Sequence, residues 1–220
     1  MKVLITGASR GIGRATASAF SECGYEVLAP ARAELDLSCK ESVERFVAEH
    51  AHEPLDSLIN NAGINDIVCM EDADDETIER MLEVDLVSPM RLVRGFIPRL
   101  RESPYGRIVN IGSIWASVSK PGRGLYSAAK NGLHGLTNAL AVELASSGVL
   151  VNTVCPGFTA TELTRKNNSP EQIAQIEGDI PLGRLAEPEE IARAVVFFGS
   201  KENTYITGQK ILVDGGFTAK

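Results

Sequence analysis

The feature that most constrains this chain is an alternation. Six short apolar runs, KVLIT, YEVLAP, LDSLIN, GRIVNIG, VLVNTVC and KILVDG, are separated mostly by amphipathic stretches such as 76–100, 126–146 and 188–198. Short apolar runs predict strands, and apolar residues recurring at three- and four-residue intervals predict helices. The runs are apolar throughout rather than at every second position, which suits strands covered on both faces. Strands and helices in alternation, joined by right-handed crossovers, build a doubly wound parallel α/β sheet. With 220 residues, 44% of them hydrophobic, and no Gly/Ser/Pro-rich linker, the chain is expected to form a single domain over 1–220. One connection is too short for this pattern: between YEVLAP and Asp36 only ARAEL remains, whereas a helical crossover needs about a dozen residues. The usual third strand and the helix before it are therefore expected to be lost or reduced to a stub.

Charge narrows the choice of partner. The net charge is −7 with no Lys/Arg block, so neither nucleic acid nor an anionic membrane surface has an electrostatic handle. Small-molecule chemistry is the expectation. The four cysteines form no CxxC pair, which suggests buried thiols in a reducing compartment and no metal site. The apolar stretch before Gly7 is too short for a signal peptide, and no run approaches the ~18 residues of a spanning helix, so a cytoplasmic protein is expected.

The stretch TGASRGIG, residues 6–13, follows the first run and precedes a helical one. Gly7 suits a tight turn, Gly11 a close backbone approach, and Gly13 close packing of the helix on the sheet. The free N–H groups and positive dipole end of that helix then face an anion such as a pyrophosphate. Taken alone, the same glycines also fit a βα turn with no ligand.

Further motifs bear on that choice. TGASRGIG resembles the TGxxxGxG fingerprint of the short-chain dehydrogenase/reductase family, and NNAG at 60–63, IGS at 111–113 and YSAAK at 126–130 follow in that family's order. CPGFTAT at 155–161, PLGRLAEPEEIA at 181–192 and ITGQKILVDGG at 206–216 continue the resemblance across essentially the whole chain. It implies a Rossmann-like fold, a nicotinamide dinucleotide, and catalysis by Ser113, Tyr126 and Lys130. The cofactor-binding positions it implies are Gly7, Ser9, Arg10, Gly11, Ile12 and Gly13 in the loop. Asp36, Leu37, Asn61, Ala62 and Gly63 fall on the adenosine side, and Pro156, Gly157, Thr159 and Thr161 on the nicotinamide side, with Tyr126 and Lys130 also touching the cofactor.

The chemistry also reads from the residues. Tyr126 and Lys130 are four apart on a helix beginning just beyond the strand that carries Ser113, so they share one face near the carboxyl ends of the strands. An ammonium and a cationic nicotinamide favour phenolate, and a lowering of ~3 pKa units corresponds to ~4 kcal/mol. In reduction Tyr126 gives its proton to a carbonyl oxygen held by Ser113; the reverse oxidises an alcohol. One departure is Asp85, in EVDLVSP, where the family usually has an Asn anchoring a water relay to the lysine. Asp85 either holds Lys130 charged more firmly or, the favoured reading, replaces Asn with little effect.

NAD-preferring family members commonly carry an acid after the second strand; here Ala31 is followed by Arg32, and Arg10 lies in the glycine loop, so NADP(H) is favoured over NAD(H). The substrate is expected to be a small carbonyl or alcohol. Alternatives are a 3-oxoacyl-(acyl-carrier-protein) reductase of fatty-acid synthesis, an NAD-dependent sugar or polyol dehydrogenase, and a non-enzymatic dinucleotide sensor. The places where carrier-protein reductases often carry basic residues read SPY at 103–105 and SS at 146–147, which weakens the first. Residues 158–180 are expected to form a mobile lid. Arg165, Lys166 and Arg123 either meet an anionic substrate or are simply solvated. In the family that the chain resembles, the long helices corresponding to those from Glu76 and Tyr126 form a shared four-helix interface, so the resemblance implies a homodimer or homotetramer.

Overall fold

The six apolar runs become the six strands of one parallel sheet. The structure, a computed structural model, describes residues 1–219. The strands are β1 (Lys2–Ile5), β2 (Glu26–Leu28), β3 (Ser57–Asn60), β4 (Arg107–Ile111), β5 (Leu150–Pro156) and β6 (Lys210–Val213), in the order β2-β1-β3-β4-β5-β6. The register runs straight across the centre: Val3 faces Ser57, Ser57 faces Arg107, and Arg107 faces Leu150. β3 and β4 are buried at every position, their polar residues Ser57, Asn60, Arg107 and Asn110 included, as strands covered on both faces must be.

Helices cover both faces. α1 (Gly11–Glu22) and α8 (Pro188–Gly199) pack together on one face, where Phe20, Ile191, Val195 and Phe198 meet Val3, Ile59 and Val109. On the other face lie α2 (Lys40–His50), α4 (Ser88–Glu102) and α5 (Gly124–Leu144), whose Phe46, Phe96 and Leu140 close over Leu4, Leu58 and Ile108. Each such phenylalanine, truncated to alanine, would cost about 3–5 kcal/mol. The chain leaves β1 for β2 on one side and returns to β3 on the other. The sheet therefore has a switch point between β1 and β3, and a crevice opens beyond their carboxyl ends.

The short connection behaves as the residue count requires. No helix or strand forms between Leu28 and Lys40, and β2 is left as the edge of the sheet. Leu35 and Leu37 anchor the connection in the core, the Ser88 hydroxyl donates to the Leu37 carbonyl at 2.8 Å, and the Asp36 amide donates to the Ser42 hydroxyl at 3.0 Å.

Residues 76–100 hold a feature that amphipathic periodicity does not reveal. α3 (Asp75–Leu82) and α4 are joined by a π-helical turn, Glu83–Val87, whose wider winding places Asp85 inside the protein with no exposed surface. Residues 158–180 contain two short helices, α6 (Glu162–Asn167) and α7 (Pro170–Asp179), the second begun by a capping box between Ser169 and Gln172. The cysteine expectation needs correction. Only Cys155 of the four is buried, because Cys23, Cys39 and Cys69 fall at the ends of elements rather than on their inner faces. Among the described residues no helix is long and apolar enough to cross a membrane.

Candidate active site

The glycine loop between β1 and α1 forms one wall of a cleft of about 830 Å³ at the switch point. α1 begins with Arg10 in an extended conformation and no side-chain cap, so its first N–H groups remain free. Gly13 lets the helix sit against the turn: a Cβ there would lie 2.2 Å from the Gly7 carbonyl oxygen. Asn61 fixes the turn from β3, its Nδ2 donating to the carbonyls of Thr6 at 2.8 Å and Gly7 at 3.1 Å. Uncapped amides, a positive helix end and a backbone surface cleared of side chains suit a dinucleotide pyrophosphate. Every cofactor position expected from the sequence lines this cleft.

Ser113, Tyr126 and Lys130 line the same cleft. Ser113 follows β4 and accepts from the Trp115 amide at 3.2 Å, which ties the serine to a short 3-10 turn, Ile114–Ala116. Its hydroxyl works to lower the pKa of the Tyr126 phenol beside it. The Lys130 ammonium is buried, 5.4 Å from the centre of the Tyr126 ring, and donates to the Ile111 carbonyl at 3.1 Å. Two hydroxyls thus converge beside a fixed cation, an arrangement that holds one oxygen and exchanges a proton with it.

Asp85 lies directly against Lys130. Its Oδ1 lies 3.2 Å from Lys130 Nζ and accepts from the Ile64 amide at 3.2 Å. Room for the carboxylate comes from Gly63, where a Cβ would lie 2.4 Å from Oδ1. Burial pushes the Asp85 pKa above the usual carboxylate value against the pull of Lys130. Burial also works to lower the Lys130 pKa, but Asp85 and Tyr126 more than offset it and the ammonium is held firmly charged. The phenol is expected to become acidic with a cationic nicotinamide beside it; the chain by itself gives the opposite direction. Burial raises the Tyr126 pKa above the ordinary tyrosine value, Lys130 opposing and Asp85 reinforcing the rise.

The structure also supplies supports that the motifs do not indicate. Asn60 Nδ2 donates to Asn110 Oδ1 at 2.8 Å, Asn110 Nδ2 to Thr137 Oγ1 at 2.9 Å, and Thr137 and Thr153 share a hydrogen bond of 2.8 Å. This buried chain ties the helix of Tyr126 and Lys130 to three strands; its sequence signal is a polar residue inside each apolar run. Arg32 pairs with Asp36 at 3.1 Å and Arg10 with Glu162 at 3.5 Å, and all four residues border the cleft. Arg165 and Lys166 are exposed on α6 and do not line the cleft, whereas Arg123 is buried and does.

Comparisons with known proteins agree with this geometry. The family model described as enoyl-(acyl carrier protein) reductase matches residues 29–218. The 3-oxoacyl-(acyl-carrier-protein) reductase of Vibrio cholerae is 36% identical over 97% of this chain and 95% of its own length. Among solved structures, a candidate NAD(P)-dependent gluconate 5-dehydrogenase from Beutenbergia cavernae, with NADP bound at low occupancy, superposes with a TM-score of 0.94 and 32% identity, covering 100% of this chain and 97% of that one. A 4-hydroxyisoleucine dehydrogenase complexed with NADH superposes with a TM-score of 0.92 and 30% identity, covering 100% and 99%.

Proposed function

Because this chain belongs to the short-chain dehydrogenase/reductase family and is an oxidoreductase of carbonyl and alcohol groups, we propose that it interconverts a small ketone and a secondary alcohol at Ser113, Tyr126 and Lys130, with NADP(H) as cofactor. The observation that carries the reading is the meeting of the Ser113 hydroxyl, the Tyr126 phenol and the buried Lys130 ammonium in one cleft with an uncapped helix N-terminus. When bound, the nicotinamide supplies or accepts the hydride.

The chain's own part is to hold an oxygen and move a proton. Burial keeps the Tyr126 phenol protonated, so in reduction it can donate to the substrate oxygen while the Ser113 hydroxyl fixes that oxygen. Lys130, held between the Ile111 carbonyl and Asp85, supplies the positive charge that stabilises the phenolate left behind. The free amides of α1 and the loop Gly7–Gly13 take the pyrophosphate, and residues 156–161 border the nicotinamide end. Arg32 and Arg10 favour a 2′-phosphate, and no acid stands at positions 29–31 to bind a ribose hydroxyl.

Two features favour a free small molecule over a carrier-bound acyl chain. The protein is acidic overall, and residues 103–105 and 146–147 carry no cation for an acidic carrier. A homodimer or homotetramer through α4 and α5 completes the proposal: Met90 and Val142 stand exposed on these helices, and light scattering measures the assembly. The enzymatic test is oxidation of NADPH and NADH by purified protein over a panel of ketones and oxoacyl thioesters, with Tyr126→Phe as control. Turnover that survives in Tyr126→Phe would refute the assignment of the proton donor.

A further inference from the structure

Arg123 is a cation without an anion. The residue is 3% exposed, yet among the described residues no carboxylate lies within ion-pairing distance of it. One hydrogen bond orients the guanidinium, Nη1 donating to Asn65 Oδ1 at 2.6 Å, while Nε is buried with no partner. Burial works against the charge, and the neutral Asn65 amide cannot balance it. The guanidinium lies 5.2 Å from the centre of the Trp115 ring, and the other charged group over that ring, Lys120 Nζ at 5.5 Å, is also a cation. Leaving a buried charge unpaired costs several kcal/mol, and an arginine cannot escape the cost by losing its proton.

Its position gives that cost a use. Arg123 directly precedes α5, three residues before Tyr126, and it lines the cleft together with Ser113, Trp115 and Asn65. Phe158 meets the Trp115 ring edge-on at 5.8 Å, so the indole wall is itself held in place. A guanidinium fixed between an amide and an indole is pre-organised for a planar, singly charged partner, which it can bind through two parallel N–H groups. A phosphate dianion would call for further cations, and the other cations that line the cleft, Arg10, Arg32, Arg80 and Lys130, are already paired with Glu162, Asp36, Asp66 and Asp85.

We propose that Arg123 binds a carboxylate of the substrate, so that this enzyme acts on a small oxo acid or hydroxy acid whose carboxylate lies a few bonds from the reacting carbon. The proposal rests on carbonyl reduction at Tyr126 and names the class of compound that reaches it. A thioester offers only neutral groups near its reacting carbonyl and would leave the guanidinium uncompensated.

The test compares kcat/KM for 4-oxopentanoate and 5-oxohexanoate with those of their methyl esters, in wild type, Arg123→Gln and Arg123→Lys. The acids are expected to exceed their esters by about 10- to 100-fold in the wild type, as befits a charge-assisted hydrogen bond. Arg123→Gln should erase that ratio mainly through KM, and Arg123→Lys should restore part of it. Trp115, the single tryptophan of the chain, gives a readout independent of turnover. Its fluorescence in the NADP⁺-supplied protein should change saturably with oxo acid, at a concentration raised about 10-fold or more by Arg123→Gln. Esters that match their acids, or an acid preference that survives in Arg123→Gln, overturn the assignment while leaving carbonyl reduction standing. Should no ketone be reduced with either cofactor, the parent reading fails, and the fluorescence titration decides the role of Arg123: no saturable change refutes it.

Discussion

Replacing Asp85 by Asn isolates a single charge in the site. Oδ1 meets both Lys130 Nζ at 3.2 Å and the Ile64 amide at 3.2 Å, with Oδ2 a longer acceptor for the same amide at 3.4 Å, so an amide oxygen in the Oδ1 place keeps the two shorter contacts and removes the negative charge. Two unit charges 3.2 Å apart, in surroundings of effective dielectric constant about 20, interact by about 5 kcal/mol. Losing it removes the interaction that holds the Lys130 pKa up, and the amide dipole left behind makes good only part of that loss. The carboxylate favours the ammonium and disfavours the phenolate, so its removal lowers the pKa of Lys130 and of Tyr126 alike. Ketone reduction needs the phenol protonated and the ammonium charged. Both shifts therefore move the alkaline limb of the kcat/KM profile in the same direction, to lower pH. The assay is initial-rate ketone reduction across the neutral to alkaline range for wild type and Asp85→Asn. A limb that stays within about 0.3 unit of wild type, or moves to higher pH, would refute the claim that Asp85 sets the charge state of the site.

Three other substitutions probe separate parts of the site. Tyr126→Phe should lower kcat by about 1,000-fold while cofactor still binds, as followed by the fluorescence of added NADPH. Gly63→Ala would place its Cβ 2.4 Å from Asp85 Oδ1 and 3.2 Å from Lys130 Nζ; a loss of about 1–3 kcal/mol in urea unfolding is expected, together with reduced turnover. Arg32→Ala should lower kcat/KM for NADPH by about 10-fold and change that for NADH much less, and a parallel loss with both cofactors would remove Arg32 from 2′-phosphate binding.

The sequence foretold the sheet because its signals are local and physical. Uninterrupted apolar runs require covered strands, and a connection of five residues after YEVLAP cannot hold a helix, so both the parallel sheet and its missing strand follow from counting. Ser113, Tyr126 and Lys130 were legible through the order of their motifs, and the structure brings them into one cleft. Asp85 shows where that legibility stops. Its letter was visible, but its contact with Lys130 depends on a π-helical turn and on the space left by Gly63 beside it, which no periodicity reports. Arg123 was read alongside Arg165 and Lys166 because burial is decided by tertiary packing. Three similar letters in polar surroundings became one enclosed cation and two exposed ones. The exposed cysteines follow the same logic, since a small apolar residue at the end of an element has no inner face to occupy.

The shortened crossover raises the question of how the cofactor end of the cleft survives without the strand that normally flanks it. The structure answers with substitutes for sheet hydrogen bonds. Leu35 and Leu37 fill the core space beside β1 and α4, and Ser88 at the start of α4 donates to the Leu37 carbonyl. Asp36 turns the connection back, its carboxylate accepting from the amide and hydroxyl of Ser38 at 2.9 and 2.7 Å, which lowers its pKa below the usual carboxylate value. An ionised Asp36 in turn holds Arg32 at the cleft's edge. The residue that orders the loop therefore also engages the guanidinium that is proposed to meet a 2′-phosphate. Removing the carboxylate, as in Asp36→Asn, frees Arg32 but takes away the charge that steadies the turn around Ser38. NADPH affinity should rise with Asp36→Asn only if the two apolar anchors, Leu35 and Leu37, suffice to keep the connection in place.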